Sequence, residues 1–230
     1  MTRDGTSSSA PRLVRELYFP TYVFYRDLES APALNPALAG AIRDLRRADP
    51  DGLVRSNMKP AGSWHSALDL QSRAPFAPLA AEVLATSRAV AEDLGFDPAR
   101  ELVLDNMWAI VNPRHGSNRG HTHPRVLLSG CYYVQAPPGC GRICFVDPRP
   151  QAQVLPPWLS VAGRAQPHNW SEVAFDAIAG RMILFPAWLG HEVEPNLTAL
   201  EGEASERIVI AFNLYQRPPA TPAADRPPSP

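Results

Sequence analysis

Two of the six histidines stand two residues apart, in the stretch Gly116-Ser-Asn-Arg-Gly-His121-Thr-His123-Pro. On a β-strand, residues i and i+2 share a face, so this spacing lets both imidazoles address one ion. A third histidine lies in Gly180-Arg-Met-Ile-Leu-Phe-Pro-Ala-Trp-Leu-Gly-His191-Glu-Val-Glu-Pro. Imidazole is a borderline ligand that suits iron, copper, nickel or zinc. The wide gap between the pair and His191 is what a barrel requires, because a barrel sets distant strands side by side. An HxH pair alone is weak evidence, since surface and core-capping histidines are at least as common. His65, His115 and His168 read as residues of that ordinary kind.

The elements that must position these side chains divide the chain in two. Its 230 residues are 45% hydrophobic with a net charge of −1. That is enough for one domain with a sizeable core, without the clustered basic face of a nucleic-acid binder. Cys131, Cys140 and Cys144 form no CxxC pair and read as reduced thiols in or near strands. The start of the chain has no apolar leader and no apolar run reaches about 18 residues, so a soluble cytoplasmic protein with no membrane segment is expected. Residues 1–11 and 216–230 read as disordered tails, the second dominated by Pro and Ala.

Residues 12–215 read as one domain, a helical buttress over 12–100 and a β-rich part over 101–215. Leu17 to Phe24 (LYFPTYVF) reads as a short strand. Asn35-Pro36 reads as the N-cap and first position of a helix running through Leu38, Ile42 and Leu45. Phe76 to Leu94 repeats the helical period at Leu79, Val83, Leu84 and Val90 and ends at Gly95. From Glu101 onward the pattern changes to short β-branched and aromatic segments: LVLDNMWAIVN, VLLSGCYYVQ, GRICFVD, EVAFD, RMILFP, HEVEP and RIVIAFNLYQ. Gly, Pro or Asn separates most of them, which predicts a sandwich or barrel rather than βαβ units. The fold class is therefore mainly β with flanking helices. Trp64 and Trp108 read as core, and the stretch from Pro150 to Trp170 as a long loop near the barrel mouth that covers the substrate.

The histidines belong to a longer ordered series. Asn118-x-x-His121-x-His123-Pro precedes Ser129-Gly-Cys-Tyr132-Tyr133-Val and Gly141-x-Ile-x-Phe145-x-Asp147-Pro-Arg149. Then come Phe185-Pro-x-x-x-x-His191-Glu-Val-x-Pro195 and Glu206-Arg207-Ile-x-Ile-x-Phe212-Asn213. From about Asn106 to Tyr215 this series resembles the iron(II)/2-oxoglutarate oxygenases, specifically the prolyl-hydroxylase-like branch and its small bacterial and phage relatives.

The resemblance implies a double-stranded β-helix (jelly-roll, cupin-like) core. It also implies Fe(II) as cofactor, 2-oxoglutarate and O2 as co-substrates, and hydroxylation of a C–H bond with release of succinate and CO2. It makes His121 and His191 iron ligands. It assigns Arg207, 16 positions after His191, to the far carboxylate of 2-oxoglutarate, with Tyr133 hydrogen-bonded to the same group. The chemistry is consistent: a dicarboxylate buried in a barrel needs a permanent cation, and arginine grips carboxylates in a bidentate fork. Taken alone, Arg207 would read as a strand-edge surface charge. Asn118 and Asn213 are candidates to orient ligands, Asn213 beside the co-substrate, and Arg149 is a candidate at the mouth.

One position departs from the family pattern. The usual triad has an acid two residues after the first histidine, and here that residue is His123. Three ligand sets fit: His123 completes a three-histidine site, Asp147 supplies the carboxylate, or the third position is open with His123 beside it; the sequence leaves all three in place. A neutral imidazole in place of an anion leaves the metal more positive. Two rival functions follow. One is a three-histidine cupin-type metal dioxygenase that needs no 2-oxoglutarate; against it, the usual cupin glutamate is absent, with Leu127 at that position. The other is a non-catalytic binding module on the same barrel. Small-molecule, amino-acid and peptide substrates all fit the sequence, as does a homodimer.

Overall fold

A computed structural model describes residues 13–56 and 61–217. The tail assigned to 1–11, and residues 218–230 of the tail assigned to 216–230, lie outside the described residues. The first strand, β1 (Phe24–Asp27), is followed by helices α1 (Ala31–Ala48) and α2 (Gly52–Arg55), strand β2 (Trp64–His65) and helix α3 (Ala77–Asp93). Strands β3 (Leu102–Asn112), β4 (Asn118–His121), β5 (Leu128–Gln135) and β6 (Ile143–Val146) come next. Two short helices, α4 (Pro150–Val154) and α5 (Val161–Arg164), then lead to β7 (Glu172–Phe175), β8 (Arg181–Pro186), β9 (His191–Val193) and β10 (Arg207–Gln216).

The strands form two antiparallel sheets. The larger has the order β1-β8-β5-β10-β3-β2 and the smaller β4-β9-β6-β7. This is a double-stranded β-helix with helices on one side. The strands are bounded as the apolar pattern predicts, because the larger sheet buries both faces. On β10, Ile208, Ile210, Phe212 and Leu214 pack with Leu38 and Ile42 of α1 and Leu79 and Val83 of α3. The alternate residues of β5 and β8, Cys131, Tyr133, Ile183 and Phe185, join Ile143 and Phe145 in a second core between the sheets. A period of two therefore sorts each strand into a helix-facing set and a set facing the inter-sheet space. Arg207, Val209 and Ala211 belong to the second set, and so do Trp108, Ile110 and Asn112 of β3.

Two local expectations fail for identifiable reasons. Leu17–Phe24 is not a strand: pairing begins at Phe24, and Tyr18 and Phe19 stay exposed. Pro20 offers no N–H, and the register with β8 is set by Phe24↔Leu184 through Asp27↔Arg181. A bidentate ion pair from Arg181 to Asp27 (2.7 and 2.8 Å) fixes the far end of that register. Helix α1 starts a turn earlier than the Asn35-Pro36 signal, with Ser30 as N-cap and Pro36 inside the helix. Asn35 instead accepts a hydrogen bond from the Tyr132 hydroxyl (2.6 Å), tying α1 to β5. At the other end of the domain β10 continues through Gln216, whose amide donates to the carbonyl of Asp97 (3.0 Å). The 150–170 stretch contains α4, α5 and a 3-10 turn at Pro167–Asn169. Among the described residues no helix is long and apolar enough to cross a membrane.

The closeness of the layers gives a direct test. A Cβ at Gly130 would lie 2.5 Å from Cζ of Phe212 and 2.6 Å from the carbonyl oxygen of Ile183. Overpacking of this kind costs roughly 1–3 kcal/mol. Gly130→Ala is expected to lower the melting temperature by about 3–10 °C, given roughly 2–4 °C per kcal/mol for a domain of this size. Calorimetry checks it, and a Tm within about 1 °C of wild type would show that β5 and β10 part freely there.

Candidate metal centre and its cavity

The site is built where the smaller sheet meets the end of β8. His121, the last residue of β4, lies directly opposite His191, the first residue of β9. The strand ends there, so His123 sits in the following loop rather than on the same strand face. Its backbone N–H donates to the carbonyl of Ala187 (2.9 Å), just beyond β8, which returns the imidazole to the other two. One nitrogen from each ring falls within 4.8 Å of the others. The ring centroids are 5.0 Å apart for His121 and His123, 4.4 Å for His121 and His191, and 5.2 Å for His123 and His191.

Hydrogen bonds set two of the tautomers. Nδ1–H of His121 donates to the carbonyl of Arg119 (2.7 Å), and Nδ1–H of His191 to that of Leu189 (2.9 Å). Both arrangements leave the Nε2 lone pair free for an ion. Nε2 of His123 lies 3.4 Å from Nε2 of His191. Burial, and then the neighbouring imidazoles, push the His123 pKa down to about 3. Burial likewise takes His191 to about 4. His123 and His191 are thus presented as neutral imidazoles, the form in which histidine binds metal.

The same cavity, about 60 Å³, is lined by Arg207, Tyr133, Asn112 and Asn118 as well as the histidines. Room for roughly four or five waters suits a small organic acid and is far too little for a nucleotide. Arg207 is fully buried. Its Nη1 donates to the carbonyls of Cys140 and Glu194 (2.9 Å to the latter), and Nη2 reaches the carbonyl of Gly116 (3.4 Å). Nε has no partner, and no carboxylate pairs with this guanidinium among the described residues. The nearby acids are engaged elsewhere. The Glu194 side chain turns outward to a bidentate pair with Arg142 (2.7 and 3.0 Å), which brings its pKa to about 2. Glu206 faces α1 and pairs with Arg43 and Arg46. Burial lowers the Arg207 pKa, yet guanidinium stays charged in proteins. An unpaired buried cation is costly; a ligand carboxylate would satisfy it. Tyr133, also buried, keeps its phenol protonated because burial and the neighbouring Cys131 thiol raise its pKa well above normal. Gly141 (φ +87°) makes the strap over Arg207 possible, since a Cβ there would sit 2.9 Å from Nη1 and 2.5 Å from the Glu194 carbonyl.

The remaining sequence candidates are placed differently. Asp147 lies in the loop after β6, where Arg149 holds its carboxylate in a bidentate pair (2.9 Å each) and lowers its pKa. It is outside the histidine cluster. Arg149 is correspondingly occupied by Asp147. Asn118 reaches the cavity and accepts from Asn112 Nδ2 (2.9 Å). Asn213 shares the Arg207 face of β10 but is outside the cavity lining. It accepts from Ser129 (2.8 Å), donates to Asn106 (2.9 Å), and so holds Ser129 at the cavity wall. Sequence reasoning missed Asn112, whose buried Oδ1 has no partner; Trp108 is buried as expected of a core residue and also lines the cavity. The two-residue period of β3 carries the signal: Trp108, Ile110 and Asn112 alternate with the fully buried Met107 and Ala109.

The depressed histidine pKa values predict a pH dependence. In the unfolded chain these imidazoles protonate near the ordinary 6.5, whereas folded His123 and His191 resist until about 3 and about 4. The unfolded state therefore binds more protons as pH falls, and the metal-free protein loses stability from about pH 6.5 downward. Denaturant unfolding between pH 7 and about 4.5, above the range where most carboxylates titrate, checks this. The double variant His123→Gln/His191→Gln should flatten that slope; a wild-type slope in it contradicts the assignment.

Comparisons with known proteins agree with this geometry. The family model described as "Putative 2OG-Fe(II) oxygenase" matches residues 106–213. No curated protein matches the sequence. Among solved structures, a Pseudomonas putida prolyl-4-hydroxylase is 17% identical, covers 86% of this chain and 94% of its own, and superposes with a TM-score of 0.55. HygX from Streptomyces hygroscopicus, crystallised with nickel, 2-oxoglutarate and hygromycin B, is 15% identical over 85% of this chain and 83% of its own, with a TM-score of 0.54. The non-heme alpha ketoglutarate dependent epimerase SnoN is 12% identical over 85% and 76%, with a TM-score of 0.54. At these identities the structures speak for the fold, and the family match spans all three histidines and Arg207. Over residues 106–213 the chain matches the 2OG-Fe(II) oxygenase family model, and its fold is the one seen in these solved oxygenases.

Proposed function

We propose that this protein is a 2-oxoglutarate-dependent dioxygenase that oxidises a C–H bond of a small molecule, amino acid or peptide, by default hydroxylating it, with release of succinate and CO2. One observation carries the reading: a single cavity holds three convergent imidazoles at one side and a buried, acid-free guanidinium at the other. His121, His123 and His191 would hold the metal, and Arg207 with Tyr133 would receive the far carboxylate. Iron(II) bound there, with 2-oxoglutarate and dioxygen, supplies the oxidising chemistry.

The chain's own residues bind, orient and exclude water. Tyr133, as a neutral phenol, donates a hydrogen bond rather than adding a competing charge. Phe145 and Phe185 pack against the His191 ring at centroid distances of 6.0 and 4.6 Å and close the inner side of the centre. His121 is exposed, so the centre opens to solvent on that side. Phe145 and Leu189 also line a groove of about 500 Å³ bounded by Tyr18, Phe19, Trp170 and Phe175. A groove of this size and apolar character suits a drug-sized or peptide substrate, and we assign substrate binding to it. Its rim includes part of the 150–170 segment. Three free, buried cysteines are in keeping with a reducing, cytoplasmic location.

A second reading is favoured by His123 standing where an acid is usual: a three-histidine dioxygenase that does not consume 2-oxoglutarate. Arg207 and Tyr133 have no task in that case. The assay that separates the two supplies iron(II), 2-oxoglutarate and ascorbate under air. Succinate formation is expected even without substrate, at a low uncoupled rate. His191→Ala is expected to lose the metal and at least about 100-fold of this rate while keeping the wild-type far-ultraviolet spectrum. Oxygen consumption without succinate would favour the second reading, and wild-type metal content in His191→Ala would remove the proposed centre.

A further inference from the structure

His121 and His191 are anchored in the same way, each by Nδ1–H donation to the backbone carbonyl two residues earlier. His123 lacks this anchor. Among the described residues no carbonyl meets its Nδ1, and its side chain's polar contact is Nε2 of His191 at 3.4 Å. It also lies beyond the end of β4, so no strand register sets its side-chain direction. What its ring does meet is Trp108, at a centroid distance of 6.0 Å and an interplanar angle of 41°. Behind Trp108 the ring of His65 stacks at 5.7 Å and 15°.

The two rings behind His123 are rigidly mounted. Trp108 lies on β3 opposite Ala211 of β10. His65 lies on β2 opposite Ile110, and its Nδ1–H donates to the carbonyl of Ser66 (2.7 Å). The Ser66 hydroxyl in turn accepts the backbone N–H of Ala109 (2.9 Å), closing β2 onto β3 beside the tryptophan. An imidazole's lone pair lies in its ring plane, so a ligand that can swing presents that pair off axis, and groups that fix orientation raise metal affinity.

We propose that the His65–Trp108 stack is the positioning device for His123, replacing with aromatic packing the carbonyl anchor that the other two ligands have. The proposal rests on the reading that the three histidines hold one metal ion. It makes Trp108 and His65 positioning residues for the third ligand, and it explains why two aromatic rings stand in line beside the one histidine outside a strand.

Cobalt(II) titration of metal-free protein tests this without turnover, reading affinity by calorimetry and coordination by the visible absorption bands. Trp108→Ala is expected to bind about tenfold more weakly with altered bands, and Trp108→Phe to stay within about threefold of wild type with bands unchanged. His65→Ala is expected to weaken binding by about threefold, and His65→Phe, which restores a stacking ring, to recover it. Wild-type affinity and bands in Trp108→Ala would overturn the proposal. Should circular dichroism show that variant unfolded, His65→Ala decides in the same way: unchanged affinity and bands overturn it. Absence of cobalt binding to the wild type would instead overturn the metal site itself, and the positioning role with it.

Discussion

A guanidinium buried without an acid is the constraint around which this molecule is arranged. Arg207 opens β10, is fully removed from solvent, and among the described residues finds three backbone carbonyls but no carboxylate. Backbone carbonyls supply only part of what a buried cation loses on leaving water. The two acids closest in sequence and space are turned away, Glu206 to α1 and Glu194 to Arg142. On the proposed function, a buried cation kept clear of acids would be matched by an acid that arrives from outside. The unpartnered Nε on the guanidinium and the protonated phenol of Tyr133 would then give that acid hydrogen-bond donors.

The metal site adds to the same electrostatic bias. Three neutral imidazoles contribute no negative charge, so a divalent ion held by them keeps its full charge and, with Arg207, leaves the cavity strongly positive. A dianion spanning the two ends neutralises both. The β-sandwich makes this possible because its larger sheet is covered on both faces. One face of β10, β5 and β8 packs on α1 and α3, and the other forms the second core between the sheets and lines the cavity. Substitutions that loosen the helix side are therefore expected to act on folding first, and those on the inner face on binding.

Much of this was legible in the sequence where a short-range rule governs it. Strand identity follows from alternation, which depends only on the pleat, whereas the inward direction of Arg207 and Tyr133 came with the family resemblance, Arg207 by itself reading as a strand-edge surface charge. The helix over Phe76–Leu94 follows from its apolar period and appears as α3 over Ala77–Asp93. The failures share a cause: tertiary partners overrode a local signal. Asn35 looks like a helix cap but is used by Tyr132, so α1 extends back to Ala31. The aromatic run before Phe24 looks like a strand but runs past the end of β8: in the antiparallel register Phe24 already lies opposite Leu184, and β8 stops at Pro186. Asp147 is well placed in sequence to supply a carboxylate ligand, yet Arg149, two residues on, takes both oxygens. The place of Trp108 beside His123 was hidden because nothing local distinguishes a tryptophan lining a cavity from one filling a core.

The account stands or falls on Arg207 meeting a carboxylate in the same cavity as the metal. The most direct measurement is a calorimetric titration of nickel(II)-loaded protein with 2-oxoglutarate and with 2-oxobutanoate, which keeps the chelating 2-oxo acid but lacks the distal carboxylate. The diacid is predicted to bind about 100-fold more tightly, a difference of about 2.7 kcal/mol, and Arg207→Met, with its fold verified, should erase that preference. Equal affinity of the two acids for the wild-type protein would contradict the account.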